Sequence, residues 1–158
     1  MVNGRILVVE DEHIVAMGMR AMLKSLGYIV TGVSSSGEDA VSKAESTLPD
    51  LVLMDIMLKG NLDGIEASKE IITRFDIPII YLTACSDIKV LERAWNTGHF
   101  GCIVKPFDEM DLKKGIDIVL TRHRVEKKGV DRNPGKPQKD SEKLRLLPGS
   151  RSSPQSSQ

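Results

Sequence analysis

Asp50-Leu51-Val52-Leu53-Met54-Asp55 places four consecutive apolar residues between two acids. An unbroken run of this kind suits a strand covered on both faces, as in a parallel sheet, better than a strand with one wet face. The run stops at Asp55, which puts a carboxylate at the sheet's C-terminal edge, where open α/β sheets bind ligands. Two other runs end in matching chemistry. Arg5-Ile-Leu-Val-Val-Glu10 leads into Asp11 and Glu12, and Gly101-Cys-Ile-Val-Lys105 leads into Pro106. Acids on two strand ends facing a lysine on a third suit a divalent cation and a phosphoryl group.

Outward from these runs, strand and helix patterns alternate five times. After Arg5–Glu10, the residues Val15, Met19, Met22 and Leu26 recur at helical spacing before Gly27, a natural helix stop. Residues 28–34 form the second expected strand. Ser36-Gly-Glu-Asp39 has the spacing of a capping box, with Ala40, Val41, Ala44 and Leu48 on one face and Pro49 closing the helix. Asp63-Gly-Ile-Glu66 begins the helix that carries Ile65, Ile72 and Phe75. Residues 77–82 read as a strand, with Pro78 at its start, where a missing donor is tolerated. Ser86 or Asp87 is placed to cap a helix carrying Ile88, Leu91 and Trp95, which Gly98 ends. Asp108 is placed to cap the last helix, whose Leu112, Ile116, Val119 and His123 share a stripe.

Five βα units imply a parallel sheet with helices on both faces, because parallel neighbours need right-handed crossovers. The expected architecture is α/β and flavodoxin-like, with strand order 2-1-3-4-5 and five helices. In that order Glu10, Asp11 and Asp55 converge, and Thr83 and Lys105 approach from the far side.

At 158 residues the chain holds one domain with a real core and is too short for two ordinary ones. No apolar run approaches the roughly 20 residues that cross a bilayer. The start leaves no room for a secretion signal, and two cysteines, Cys85 and Cys102, make no disulfide framework; both point to the cytoplasm. The formal net charge is zero but uneven. Residues 1–123 carry 13 Lys and Arg against 18 Asp and Glu, and residues 124–158 carry 9 against 4.

Taken singly, each site residue has a plainer reading. Asp11 or Glu12 could cap the first helix, Lys105-Pro106 could be an exposed turn, and Thr83 could be an ordinary strand residue. His13, His99 and His123 lack ligand spacing. Cys85 and Cys102 read as buried free thiols.

Jointly, Val-Val-Glu-Asp-Glu at 8–12, Leu-Met-Asp-Ile at 53–56, Asp-Gly-Ile at 63–65, Tyr-Leu-Thr-Ala at 81–84 and Lys-Pro-Phe at 105–107 resemble the receiver domain of two-component response regulators. The resemblance covers about residues 4–124. It implies that Asp55 is the phosphoacceptor, taking a phosphoryl group from a sensor histidine kinase or phosphotransfer protein. It further implies Mg²⁺ held directly by Asp11 and Asp55, by Glu10 through water, and by the backbone carbonyl of Met57. Lys105 and Thr83 are then the partners of the phosphoryl oxygens. The same resemblance implies a cis Lys105–Pro106 bond and a switch that assists its own phosphorylation and dephosphorylation but is no conventional enzyme. Pairing of two copies through helix 4, strand 5 and helix 5 also follows from it.

Two positions depart from the family pattern. The aromatic that receivers carry three residues before the lysine is Cys102 here, with Phe100 two residues earlier on the same face. Lys59 stands where a proline is common, in a loop one residue longer than the commonest form. Phosphorylation is still expected to move Thr83 and the helix 4–strand 5–helix 5 face toward a downstream protein target.

The receiver domain is expected over residues 1–126, and residues 127–158 read as a basic, disordered tail, rich in Pro, Gly, Ser and charge. Only Lys143-Leu-Arg-Leu-Leu147 offers an apolar patch there, and no winged-helix output domain fits. A stand-alone receiver, or one whose short basic tail is a linker remnant, is the expectation, with neither membrane nor nucleic acid as partner. Other readings are a binding module of the same fold that works without phosphate, a basic-tailed nucleic-acid binder, and a flavodoxin-like cofactor carrier.

Overall fold

The computed structural model describes residues 4–84, 87–93 and 100–128. In chain order the elements are β1 (Arg5–Val9), α1 (His13–Ser25), β2 (Ile29–Ser34), α2 (Gly37–Thr47), β3 (Leu51–Asp55), α3 (Gly64–Phe75), β4 (Ile79–Thr83), α4 (Ile88–Leu91), β5 (Phe100–Val104) and α5 (Glu109–Lys128). All four strand pairings are parallel and the sheet order is β2-β1-β3-β4-β5, as the sequence predicts. The helix count is a correction. Among the described residues there are four helices of eleven residues or more, while α4 is a single turn of four. Trp95, Gly98 and His99, and the capping choice at Ser86, lie outside the described residues.

The sheet separates two apolar layers. On one side Leu7, Val52, Met54 and Tyr81 pack with Ala40 and Ala44 of α2 and Ile65 and Ile71 of α3. On the other, Ile6, Val8, Leu53 and Leu82 pack with Met19 and Leu23 of α1 and Leu112 and Ile116 of α5. All five residues of β3 are buried, which explains why its sequence does not alternate.

Several helix ends follow the sequence. Ser36 Oγ accepts the Asp39 N–H, but Asp39 pairs with Lys43 at 2.8 Å and so forms only half of a capping box. Asp63 and Glu66 form a complete one. Asp108 and Asp111 cap α5 reciprocally, each carboxylate accepting the other's N–H. Glu12 is the N-cap of α1 without a side-chain bond, and Asp87 precedes α4 without one.

Two core assignments are corrected. The inward face of α1 is Ala16, Met19 and Leu23; Val15 is partly exposed, and Met22 and Leu26 only border the core. Leu48 is exposed because it is the left-handed C-cap of α2 (φ 47°), past the last helical turn. Gly27 does end α1 with φ +95°, a conformation that suits glycine.

Candidate functional site

Register brings the site together. Val9 of β1 pairs with Met54 of β3, so the next residues, Glu10 and Asp55, leave the sheet side by side. Asp55 pairs with Leu82, and Thr83 pairs with Val104, so Thr83 and Lys105 follow on the other flank. The Lys105 N–H donates to the Thr83 carbonyl at 2.8 Å, which fixes where the lysine departs. The Lys105–Pro106 bond is cis.

One ligand oxygen from each of Glu10, Asp11 and Asp55 lies within 4.8 Å of the other two, the one such grouping among the described residues. Lys105 Nζ lies 3.8 Å from Asp55 Oδ1 and 3.9 Å from Glu10 Oε1. Glu10 and Asp55 are buried and Asp11 is half-buried. The plainer reading of Asp11 as a helix cap does not hold: its Oδ2 accepts the Lys59 N–H at 3.3 Å. Asp55 Oδ1 accepts the Met57 N–H at 3.1 Å, so the turn after β3 wraps its own carboxylate. The Met57 side chain is exposed.

Glu10 carries the clearest electrostatic mark. Burial pushes its carboxyl up from 4.5 to about 7 and the Asp55 charge adds to this, while the Glu12 N–H and Lys105 pull it down. Glu10 Oε2 accepts the Glu12 N–H at 3.1 Å, and the buried Oε1 has no hydrogen-bond partner. A buried oxygen without a donor, set among two more carboxylates, is a donor set for a hard divalent cation such as Mg²⁺.

Thr83 is buried, and its hydroxyl donates to the Ala84 carbonyl at 3.0 Å. Cys102 is a buried thiol pushed up to about 12 by desolvation; Cys85 lies outside the described residues. Phe100 shares Cys102's face and packs edge-on against Tyr81, ring centroids 5.5 Å apart, inside the α2/α3 core layer.

Four supports escape the sequence. Lys59 acts through a backbone N–H, which carries no residue signature. Gly64 lies so close to β3 that a Cβ would collide with the Asp55 carbonyl oxygen, and a Cβ on Gly37 would collide with that of Leu62. Arg93 Nη1 reaches Asp63 Oδ2 at 3.0 Å. The Asp63-Gly64 pair had signalled a helix start but not this close approach.

Comparison with known proteins agrees with the geometry. The family model described as the response regulator receiver domain matches residues 6–117. The transcriptional regulatory protein PdtaR of Mycobacterium tuberculosis is 39% identical over 123 residues, which is 78% of this chain and 60% of PdtaR. The alkaline phosphatase synthesis transcriptional regulatory protein PhoP of Bacillus subtilis is 33% identical over 124 residues, 78% of this chain and 51% of PhoP. The chain thus spans about half to three-fifths of the length of these relatives. Among solved structures, the signal receiver domain of a modulated diguanylate cyclase from Desulfovibrio desulfuricans superposes with a TM-score of 0.75 at 36% identity. That match covers 79% of this chain and 99% of the other.

Proposed function

The chain belongs to the response regulator receiver domain family, and on that premise we propose that Asp55 accepts a phosphoryl group from a phosphohistidine. The observation that carries this is the convergence of three carboxylates within 4.8 Å with Lys105 Nζ 3.8 Å from Asp55. A carboxylate attacks an anionic phosphoryl group poorly, so the site must neutralise charge and align the donor. In the transfer, an Asp55 carboxylate oxygen forms a bond to phosphorus as the phosphorus–nitrogen bond of the donor breaks. The later hydrolysis replaces the acyl phosphate bond with one to water oxygen, returning the carboxylate and inorganic phosphate.

Glu10, Asp11, Asp55 and the Met57 carbonyl are the groups that would hold Mg²⁺, and the ion supplies charge neutralisation on the phosphoryl oxygens. Lys105 pairs with one phosphoryl oxygen in place of the carboxylate oxygens it faces in this state. Thr83 gives up its bond to Ala84 and donates to another. Donors are a sensor histidine kinase or a phosphotransfer protein in the cytoplasm, and the readout is movement of the α4–β5–α5 face toward a protein target, with pairing of two copies through that face. Residues 1–126 act as the receiver, and residues 127–158 form a basic extension.

A second reading, a phosphate-independent interaction module, draws on Cys102 in the place of the switching aromatic. One experiment separates the two. After incubation with magnesium and acetyl phosphate, intact mass should rise by one phosphoryl group, and Asp55→Asn should abolish the gain. An unmodified wild-type mass would sink the phosphoacceptor reading.

A further inference from the structure

Each carboxylate of the acidic cluster has one oxygen held by a backbone N–H. Glu12 donates to Glu10 Oε2 at 3.1 Å, Met57 to Asp55 Oδ1 at 3.1 Å, and Lys59 to Asp11 Oδ2 at 3.3 Å. The first two bonds close within two residues of the acid. The third joins residues 48 apart, from the loop after β3 to the loop after β1.

Asp11 is the carboxylate with most need of such a bond. Lys105 Nζ lies 3.9 Å from Glu10 and 3.8 Å from Asp55, and among the described residues no cation pairs with Asp11. Asp11 is also more exposed than the other two, so repulsion from them drives it toward water. Until a cation arrives, the Lys59 N–H is the donor that opposes this swing. Its loop is anchored on both sides. Ile56 and Leu58 are buried in the α2/α3 core layer, Gly60 turns the chain with φ +109°, and Leu62 lies against Gly37. The Lys59 residue itself is exposed.

We propose that the backbone amide of Lys59 is a positioning group for the metal site, holding the Asp11 carboxylate within reach of the ion that Glu10 and Asp55 share. This rests on the reading of that cluster as the Mg²⁺ site. The loop that begins at the phosphoacceptor then sets a ligand on the neighbouring strand end, and ion affinity follows the backbone of residue 59 more than its side chain.

The test compares Lys59→Pro, which has no N–H to donate, with Lys59→Ala, which keeps it. Calorimetric titration of the full chain should show Lys59→Pro binding Mg²⁺ about tenfold more weakly than Lys59→Ala, the lower end of what losing a ligand's orienting partner costs. A second arm needs neither proline nor metal. In metal-free protein, Asp11→Ala should speed hydrogen exchange at the Lys59 amide several-fold and leave the Met57 amide, held by Asp55, at its original rate. Equal or tighter Mg²⁺ binding by Lys59→Pro, or an unchanged Lys59 exchange rate in Asp11→Ala, would overturn the proposal and leave the metal site standing. A parent chain that binds no Mg²⁺ would overturn both.

Discussion

Arg93 Nη1 sits 3.0 Å from Asp63 Oδ2 and so ties the turn after α4 to the N-cap of α3. Asp63 also caps α3 through the Glu66 N–H, and the next residue, Gly64, lies against the Asp55 carbonyl. The two roles of Asp63 can be separated. Both side chains of the ion pair are substantially exposed, so Arg93→Ala should cost less than about 1 kcal/mol. Asp63→Ala also loses the cap and should cost about 1 kcal/mol more, whereas Asp63→Asn should keep most of it. Urea unfolding of the three variants checks the order.

Glycines in this chain should respond in opposite directions to the same substitution. Gly64→Ala drives a methyl group into the Asp55 carbonyl and should destabilise by about 1–3 kcal/mol while lowering phosphoryl uptake. Gly18 sits inside α1 with open space where its Cβ would be, so Gly18→Ala should stabilise by about 0.5–1 kcal/mol. Thermal melts that moved both variants the same way would contradict this.

Stability should fall on both sides of a mildly acidic optimum when divalent cations are chelated. Glu10 holds its proton to about pH 7 in the folded chain but only to about 4.5 when unfolded, so the folded state is favoured below that window and loses this advantage as pH rises through it. Asp39 and Asp117 have the opposite sign. Hydrogen bonds from Lys43 and Lys113 hold their carboxyls below 3.8, so their support is present above that pH and is lost as pH falls. Glu10→Gln should flatten the alkaline arm and raise stability at pH 8 relative to the parent chain. Urea midpoints between pH 3 and 8, with chelator present, give the profile.

Metal binding and phosphoryl uptake should part company at Lys105. Calorimetric titration with Mg²⁺ should weaken at least about tenfold in Asp11→Asn, which removes a carboxylate from the cluster. Lys105→Met should instead bind Mg²⁺ more tightly, because the ammonium less than 4 Å from Asp55 and Glu10 competes for the same oxygens. The same variant should take up little phosphoryl group from acetyl phosphate. A Lys105→Met protein with weaker Mg²⁺ affinity would show that the lysine holds the carboxylates in place instead of competing with the ion.

The sheet was readable from the sequence because β3 is buried on both faces and leaves an unbroken apolar run, and because caps such as Asp63 and Asp108 carry their signal in one side chain. The face of α1 was less readable. Val15, Met19, Met22 and Leu26 recur at helical spacing, and so do Ala16, Met19 and Leu23; only packing against β1 and α5 selects the second set. Glu10, Asp11, Asp55, Thr83 and Lys105 lie at or just past the ends of β1, β3, β4 and β5, where the apolar runs stop. What holds them was hidden, since the Lys59 N–H and the missing Cβ of Gly64 are backbone features that no side-chain pattern records.

The segment from Ile56 to Leu62 is braced by the buried side chains of Ile56 and Leu58 and by backbone contacts: the Lys59 N–H hangs from Asp11, Leu62 lies against Gly37, and the following helix begins flush with Asp55 at Gly64. The outward side chains of Met57 and Lys59 therefore add nothing to the brace and are free to vary. This surface can be repainted to suit a new signalling partner without retuning the chemistry beneath it.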